Sequence, residues 1–82
     1  MEQVAMRPIW MIAKEIRKEW KKVYFGAVPY LDAMLQLDRP SDKYGLDGAD
    51  SIVIYFLGNA QSFRGPKAKE LKAELKSMFN IK

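Results

Sequence analysis

The chain of 82 residues contains neither cysteine nor histidine. That double absence constrains the fold more than any pattern that is present. A domain of this size buries only about 60% of the surface its unfolded chain exposes, so its stability margin is thin. Without cysteine there is no disulfide to widen it, and without either residue the common metal sites are excluded. An apolar core has to hold the fold alone. Nearly half of the residues are apolar and 12% are aromatic, enough for one core and not for two, which predicts a single domain over residues 1–82. The same absence removes imidazole bases and thiolate nucleophiles. Surface recognition without catalysis or cofactor is the expected business of such a chain.

Hydrophobic spacing predicts helices. Pro8 suits a first helical turn, and Ile9, Ile12, Ala13, Ile16, Trp20 and Val23 recur on one helical face, giving a first helix from Arg7 to Lys22. Gly26 and Pro29 punctuate the chain before a short, heavily apolar second helix, Tyr30 to Leu37. Turn formers then crowd Asp38 to Gly48, which reads as an exposed loop with room for a turn of helix. Ser51 to Leu57 favours a strand by propensity. It has no convincing partner, however, beyond the short Val23-Tyr24-Phe25. Asp47 as cap and Asp50 in the first turn instead predict a third helix, Gly48 to Ser62, apolar on most sides and central to the core. Gly65-Pro66 opens a fourth, Pro66 to Phe79. The expected fold is all-α, a single compact domain of about four short helices.

Charge is sorted along the chain. Residues 1–22 carry a net +3, residues 23–63 a net −3 and residues 64–82 a net +4, which together make the overall +4. At 100° per residue, Arg7, Lys14, Arg17, Lys18, Lys21 and Lys22 fall on one broad side of the first helix and Glu15 and Glu19 on the other. In the last helix Lys69, Lys72 and Lys76 line one flank, with Glu70 and Glu74 on the other. Such stripes could neutralise phosphates, dock on an acidic protein surface, or serve only as a solvated face. The acidic middle would repel a nucleic-acid backbone unless it faces away. Trp10 lies off the main apolar stripe, suited either to core packing or to anchoring an interface. Tyr44, in the acidic loop, is a contact candidate, and Arg64 either caps the turn into the last helix, pairs with an aspartate or projects as a hook.

Other chemistries find little support. Asp32, Asp38, Asp42, Asp47 and Asp50 are explained by capping and turns, since a catalytic carboxyl needs a pocket that so short a chain rarely forms. The Asp42 to Asp50 stretch lacks the ligand spacing and terminal Glu of a calcium loop. No phosphate-cradling glycine motif, zinc-finger spacing or RNA-recognition aromatic signature occurs. The longest apolar run, Ile52 to Leu57, is far short of the roughly 18 residues of a membrane span, and Met1 to Pro8 lacks the features of a secretory signal. A soluble cytoplasmic protein is expected.

The segments Arg7-Pro8-Ile9-Trp10, Ile12-Ala13-Lys14-Glu15-Ile16, Pro29-Tyr30-Leu31-Asp32-Ala33-Met34, Asp42-Lys43-Tyr44-Gly45, Ser51 to Leu57 and Lys72-Ala73-Glu74-Leu75-Lys76, taken in order, resemble a group of short uncharacterised proteins encoded by bacteriophages, prophages and mobile elements of Gram-positive bacteria. The resemblance covers nearly the whole chain but carries no active-site residues. It implies a context in which small proteins bind a host protein, some of them inhibiting defence systems such as CRISPR nucleases. A net basic chain does not suit the acidic DNA mimicry that many such inhibitors use.

The leading expectation is therefore a non-enzymatic protein that docks on a host protein or nucleoprotein. The contacts would come from Lys14, Arg17, Lys18, Lys21 and Lys22, from Arg64, Lys69, Lys72 and Lys76, and from Trp10 or Tyr44 as anchor. Direct binding of DNA or RNA through the same cations is the alternative, and self-association through the apolar third helix a third reading.

Overall fold

Pro8 sets the start of the first helix, as its fixed φ of −61° and missing N–H predict. The structure is a computed structural model that describes residues 7–81; the reading of the first residues as lacking a signal therefore lies largely outside the described residues. Helix α1 runs Ile9–Glu19. No side chain caps it. Its first two N–H groups instead donate to the carbonyls of Asp38 and Leu37, each at 2.9 Å, so the segment that follows the second helix satisfies donors the first would otherwise leave orphaned.

α1 ends three residues earlier than its periodicity predicts. Trp20 adopts extended backbone, φ −94° and ψ 93°, which swings its indole inward to stack on Phe63 at 5.1 Å and to meet Phe56 edge-on at 6.2 Å. Burying that ring outweighs the small gain from continuing a lysine-rich helix. A 3-10 turn, Phe25–Ala27, leads directly into α2, Val28–Met34, with Pro29 in its first turn. α2 thus starts and ends earlier than expected, and Val23-Tyr24-Phe25 forms no strand.

The Asp38 to Gly48 segment departs furthest from the expected all-α fold. It contains an antiparallel hairpin, β1 Lys43–Tyr44 with β2 Asp47–Gly48, paired Lys43 to Gly48 and Tyr44 to Asp47. Its two-residue turn is Gly45-Leu46, with φ +63° at Gly45 and no positive φ at Leu46, as a type II′ turn requires of its first residue. Asp47 consequently pairs in the hairpin and caps nothing. The Asp42 carboxylate accepts from the N–H groups of Asp38 and Arg39, each at 2.9 Å, while its own carbonyl accepts from Ala49 N–H at the start of the next helix. The segment is a structured connector that ties two helix starts together.

α3 spans Ala49–Gly58 and α4 Pro66–Met78. Between them Gly65 takes φ +113° and ψ 172°, a region essentially closed to side-chain-bearing residues. α4 ends in a Schellman motif: Asn80 has φ +59°, Ile81 N–H donates to Lys76 and Asn80 N–H to Ser77. α2 packs on α3 and α1, and α1 on α4. The core between them takes Ile9, Ile12 and Ile16 from α1, Leu31 and Met34 from α2, Val53 and Phe56 from α3 and Leu71 and Leu75 from α4. No polar or charged residue is buried among the described residues. The radius of gyration of 12.0 Å is what a compact domain of this length should have, about 12 Å. Four α-helices and one small hairpin are thus present among the described residues, and the molecule is mostly helical.

α3 is not surrounded. Ala49, Ile52, Val53 and Phe56 are buried, but Ile54 and Tyr55 remain 51% and 56% exposed. α3 is central to the core as its apolar run predicts, but it ends at Gly58, short of the expected Ser62, and so few elements cannot cover every apolar side of one helix.

Candidate docking surface

The basic stripe expected on the first helix is broken up by the fold. Lys14, Arg17 and Lys18 lie exposed on α1, whereas Lys21 and Lys22 follow the inward turn of Trp20 and stand off the helix. The Arg17 guanidinium donates to Asp32 at 2.9 Å, both side chains being more than half exposed. Trp10 is no free anchor, because its indole N–H donates to the Asp38 carboxylate at 3.2 Å and the Lys14 ammonium lies 5.7 Å from its ring centre. It half-buries itself in holding α1 to the connector. Tyr44 is exposed on the hairpin.

Arg7 leaves the basic side altogether. Its guanidinium donates two parallel bonds to Glu74 at 2.9 and 2.7 Å and a third to Glu15 at 2.7 Å. Lys67 reaches Glu15 at 3.0 Å from the other direction. These bonds raise the Arg7 and Lys67 pKa values, and the Arg7 and Lys67 hydrogen bonds hold Glu15 below the usual carboxylate range. Glu15 and Glu19 share the side of α1 that faces Lys67, and Glu15 joins α1 to α4.

That network sorts the charge of α4. Its acids turn toward α1 and Lys67, since Glu74 holds Arg7 and Glu70 lies 3.8 Å from Lys67. Its opposite flank is left to cations. Lys69, Lys72 and Lys76, at i, i+3 and i+7, line an open groove of about 810 Å³ with Arg64, Gly65 and Pro66, and Phe63 beneath. Among the described residues no carboxylate lines it. Arg64 makes no pair with an aspartate; its Nε donates to the Gln61 carbonyl at 3.2 Å, which holds the guanidinium at the groove's end. The Lys72 ammonium lies 5.7 Å from the Phe63 ring centre. Partial burial there, with Lys76 and Arg64 nearby, pushes its pKa down. Of the cations singled out from sequence, the fold gathers Arg64, Lys69, Lys72 and Lys76 at this groove and leaves Lys14, Arg17 and Lys18 around a shallower hollow of about 490 Å³ with Leu35, where Arg17 is paired with Asp32.

Sequence reasoning missed an aromatic face. Tyr55 on α3 lies 5.6 Å from Tyr30 on α2, ring centre to ring centre, and Ile54 stands beside it. Tyr24 and Phe25 form a second pair at 4.8 Å, with Phe25 79% exposed. Asn59, whose side chain donates to the Tyr55 carbonyl at 2.8 Å, borders a hollow with Tyr24. A signal existed: the run Ile52 to Leu57 has no polar gap, more apolar surface than a domain of this size can cover on one helix.

Among the described residues no group of acidic side chains could hold a metal ion, and no helix is long and apolar enough to cross a membrane. Compared with protein-family models, curated proteins and solved structures, the chain has no match.

Proposed function

We propose that this protein acts without catalysis, by docking on a host protein or nucleoprotein through the exposed aromatic residues of α3 and of the turn that leads into α2. The exposed set Tyr24, Phe25, Ile54 and Tyr55 carries the reading. Single exposed apolar residues are ordinary, but two exposed ring pairs rich in tyrosine have the composition of interface hot spots. The rings are held against each other, so little side-chain entropy remains to be lost on binding. Arg64 lies beside Tyr24, which favours a partner whose apolar pocket has an acidic rim. The action is steric: a small rigid body covers a surface that the partner needs. On the resemblance given above, that partner belongs to a bacterial host's cytoplasm, with a defence nuclease complex as one class it implies.

The test compares wild type with Tyr55→Ala and Ile54→Glu, at sites exposed enough to leave the fold intact by circular dichroism. Wild-type protein should retain a discrete host protein from nuclease-treated lysate, and each variant should bind the purified partner at least about tenfold more weakly, the loss of a hot spot. Equal retention by all three would discard the aromatic face. A concentration-dependent dimer in light scattering, lost in the same variants, would assign the face to self-association instead.

A further inference from the structure

The α4 groove shares only Arg64 with that docking face, and its other cations, Lys69, Lys72 and Lys76, take no part in it. We propose that it is a second binding site, one that takes the phosphate backbone of double-stranded nucleic acid without reading sequence. Four cations, Arg64, Lys69, Lys72 and Lys76, border one groove, and none of them is in a salt bridge among the described residues. The acids of the same helix are engaged by Arg7 and Lys67. The groove is therefore a concentration of positive charge whose repulsion an incoming polyanion would relieve. The pKa of Lys72 is pushed down first by its burial and then by Lys76 and Arg64, which face the same groove.

Duplex phosphate fits better than the competing anions. Lys69 to Lys76 span roughly 10 Å along a straight helix at 1.5 Å per residue, about three base-pair rises of 3.4 Å along a duplex axis. An acidic peptide offers planar carboxylates, for which arginine forks are the matched partner. This groove is built mainly of lysines, which act as point charges on phosphate. Single strands are held by base stacking on exposed rings. Here the one aromatic lining residue, Phe63, is only 3% exposed beneath Lys72.

Counter-ion release makes the proposal quantitative. With four phosphate contacts the logarithm of affinity should fall with log salt at a slope of about −3.6. Between 50 and 200 mM salt that is a loss of roughly 150-fold. The experiment follows fluorescence anisotropy of labelled 20-base-pair DNA duplexes of two unrelated sequences, a single strand of one of them and a poly-glutamate peptide. Wild type should bind both duplexes alike and more tightly than the strand or the peptide. Lys69→Ala/Lys76→Ala should reduce the slope to about −1.8, while Lys14→Ala/Lys18→Ala on α1 and Tyr55→Ala leave it unchanged. The proposal is overturned by no duplex binding at 50 mM salt, by preference for strand or peptide, or by equal slope changes in the α1 and α4 variants, which would mean diffuse net charge. Duplex binding lost in the α4 variant while Tyr55→Ala keeps it, or the reverse in the docking assay, separates failure of one site from failure of the other.

Discussion

Trp20 decides more of this structure than any other residue. It closes α1, it stacks on Phe63 under the α4 groove and it meets Phe56 of α3, so one ring joins three elements. Truncating so buried an aromatic costs about 3–5 kcal/mol, a large part of the about 5–15 kcal/mol available to a small domain. Trp20→Ala should therefore be largely unfolded or melt cooperatively only at much lower urea, a shift read directly by circular dichroism. Phe63→Leu, which keeps apolar volume against the indole, should lose far less. The sequence placed Trp20 in the core correctly, by spacing alone. It could not show that reaching the core required the helix to stop, which is why Lys21 and Lys22 were assigned to a stripe that does not extend to them.

At the scale of elements, the four helices were legible because their signals are local: Pro8, Pro29 and Pro66 at the starts and a 3.6-residue apolar period between. The lysine ladder of α4 was legible for the same reason, since Lys69, Lys72 and Lys76 share a flank whatever surrounds the helix. The hairpin was not. Its strands are two residues each, too short for alternation to be detected, and it is defined by Gly45 and by the bonds that Asp42 makes on either side. The entry into α4 gives the sharpest element-level prediction. Because Gly65 sits in a glycine-only region, Gly65→Ala should cost about 1–3 kcal/mol, lowering the melting temperature by roughly 10 °C. Because the same residue shapes the groove, the variant should also weaken duplex DNA binding; unchanged melting would mean the backbone there can relax.

At the scale of the whole molecule, Arg7 closes the helical assembly by tying the residue before α1 to Glu74, 67 positions away. Its carboxylate partners are about one-third exposed, so Arg7→Ala should cost only about 1 kcal/mol at neutral pH. The acid response is more diagnostic. Glu15 has a folded pKa below its ordinary 4.5, so its contribution is present above that value and is lost as pH falls through the folded one. Asp42, held down by the N–H groups of Arg39 and Asp38, acts in the same sense. Melting temperature should stay level down to about pH 5 and then fall, with Arg7→Ala showing a shallower fall because Glu15 has lost its main partner. An equally steep acid limb in the variant would assign the effect to other carboxylates. What the sequence by itself determined is what depends on near neighbours: the helical elements, the absence of thiol and imidazole chemistry and the two flanks of α4. The tertiary structure alone decided which charges are spent and which are free, and which side of α3 faces solvent. A helix's period fixes the direction of its side chains, but pairing and burial depend on which distant element packs against each direction, and that is settled only when the core closes.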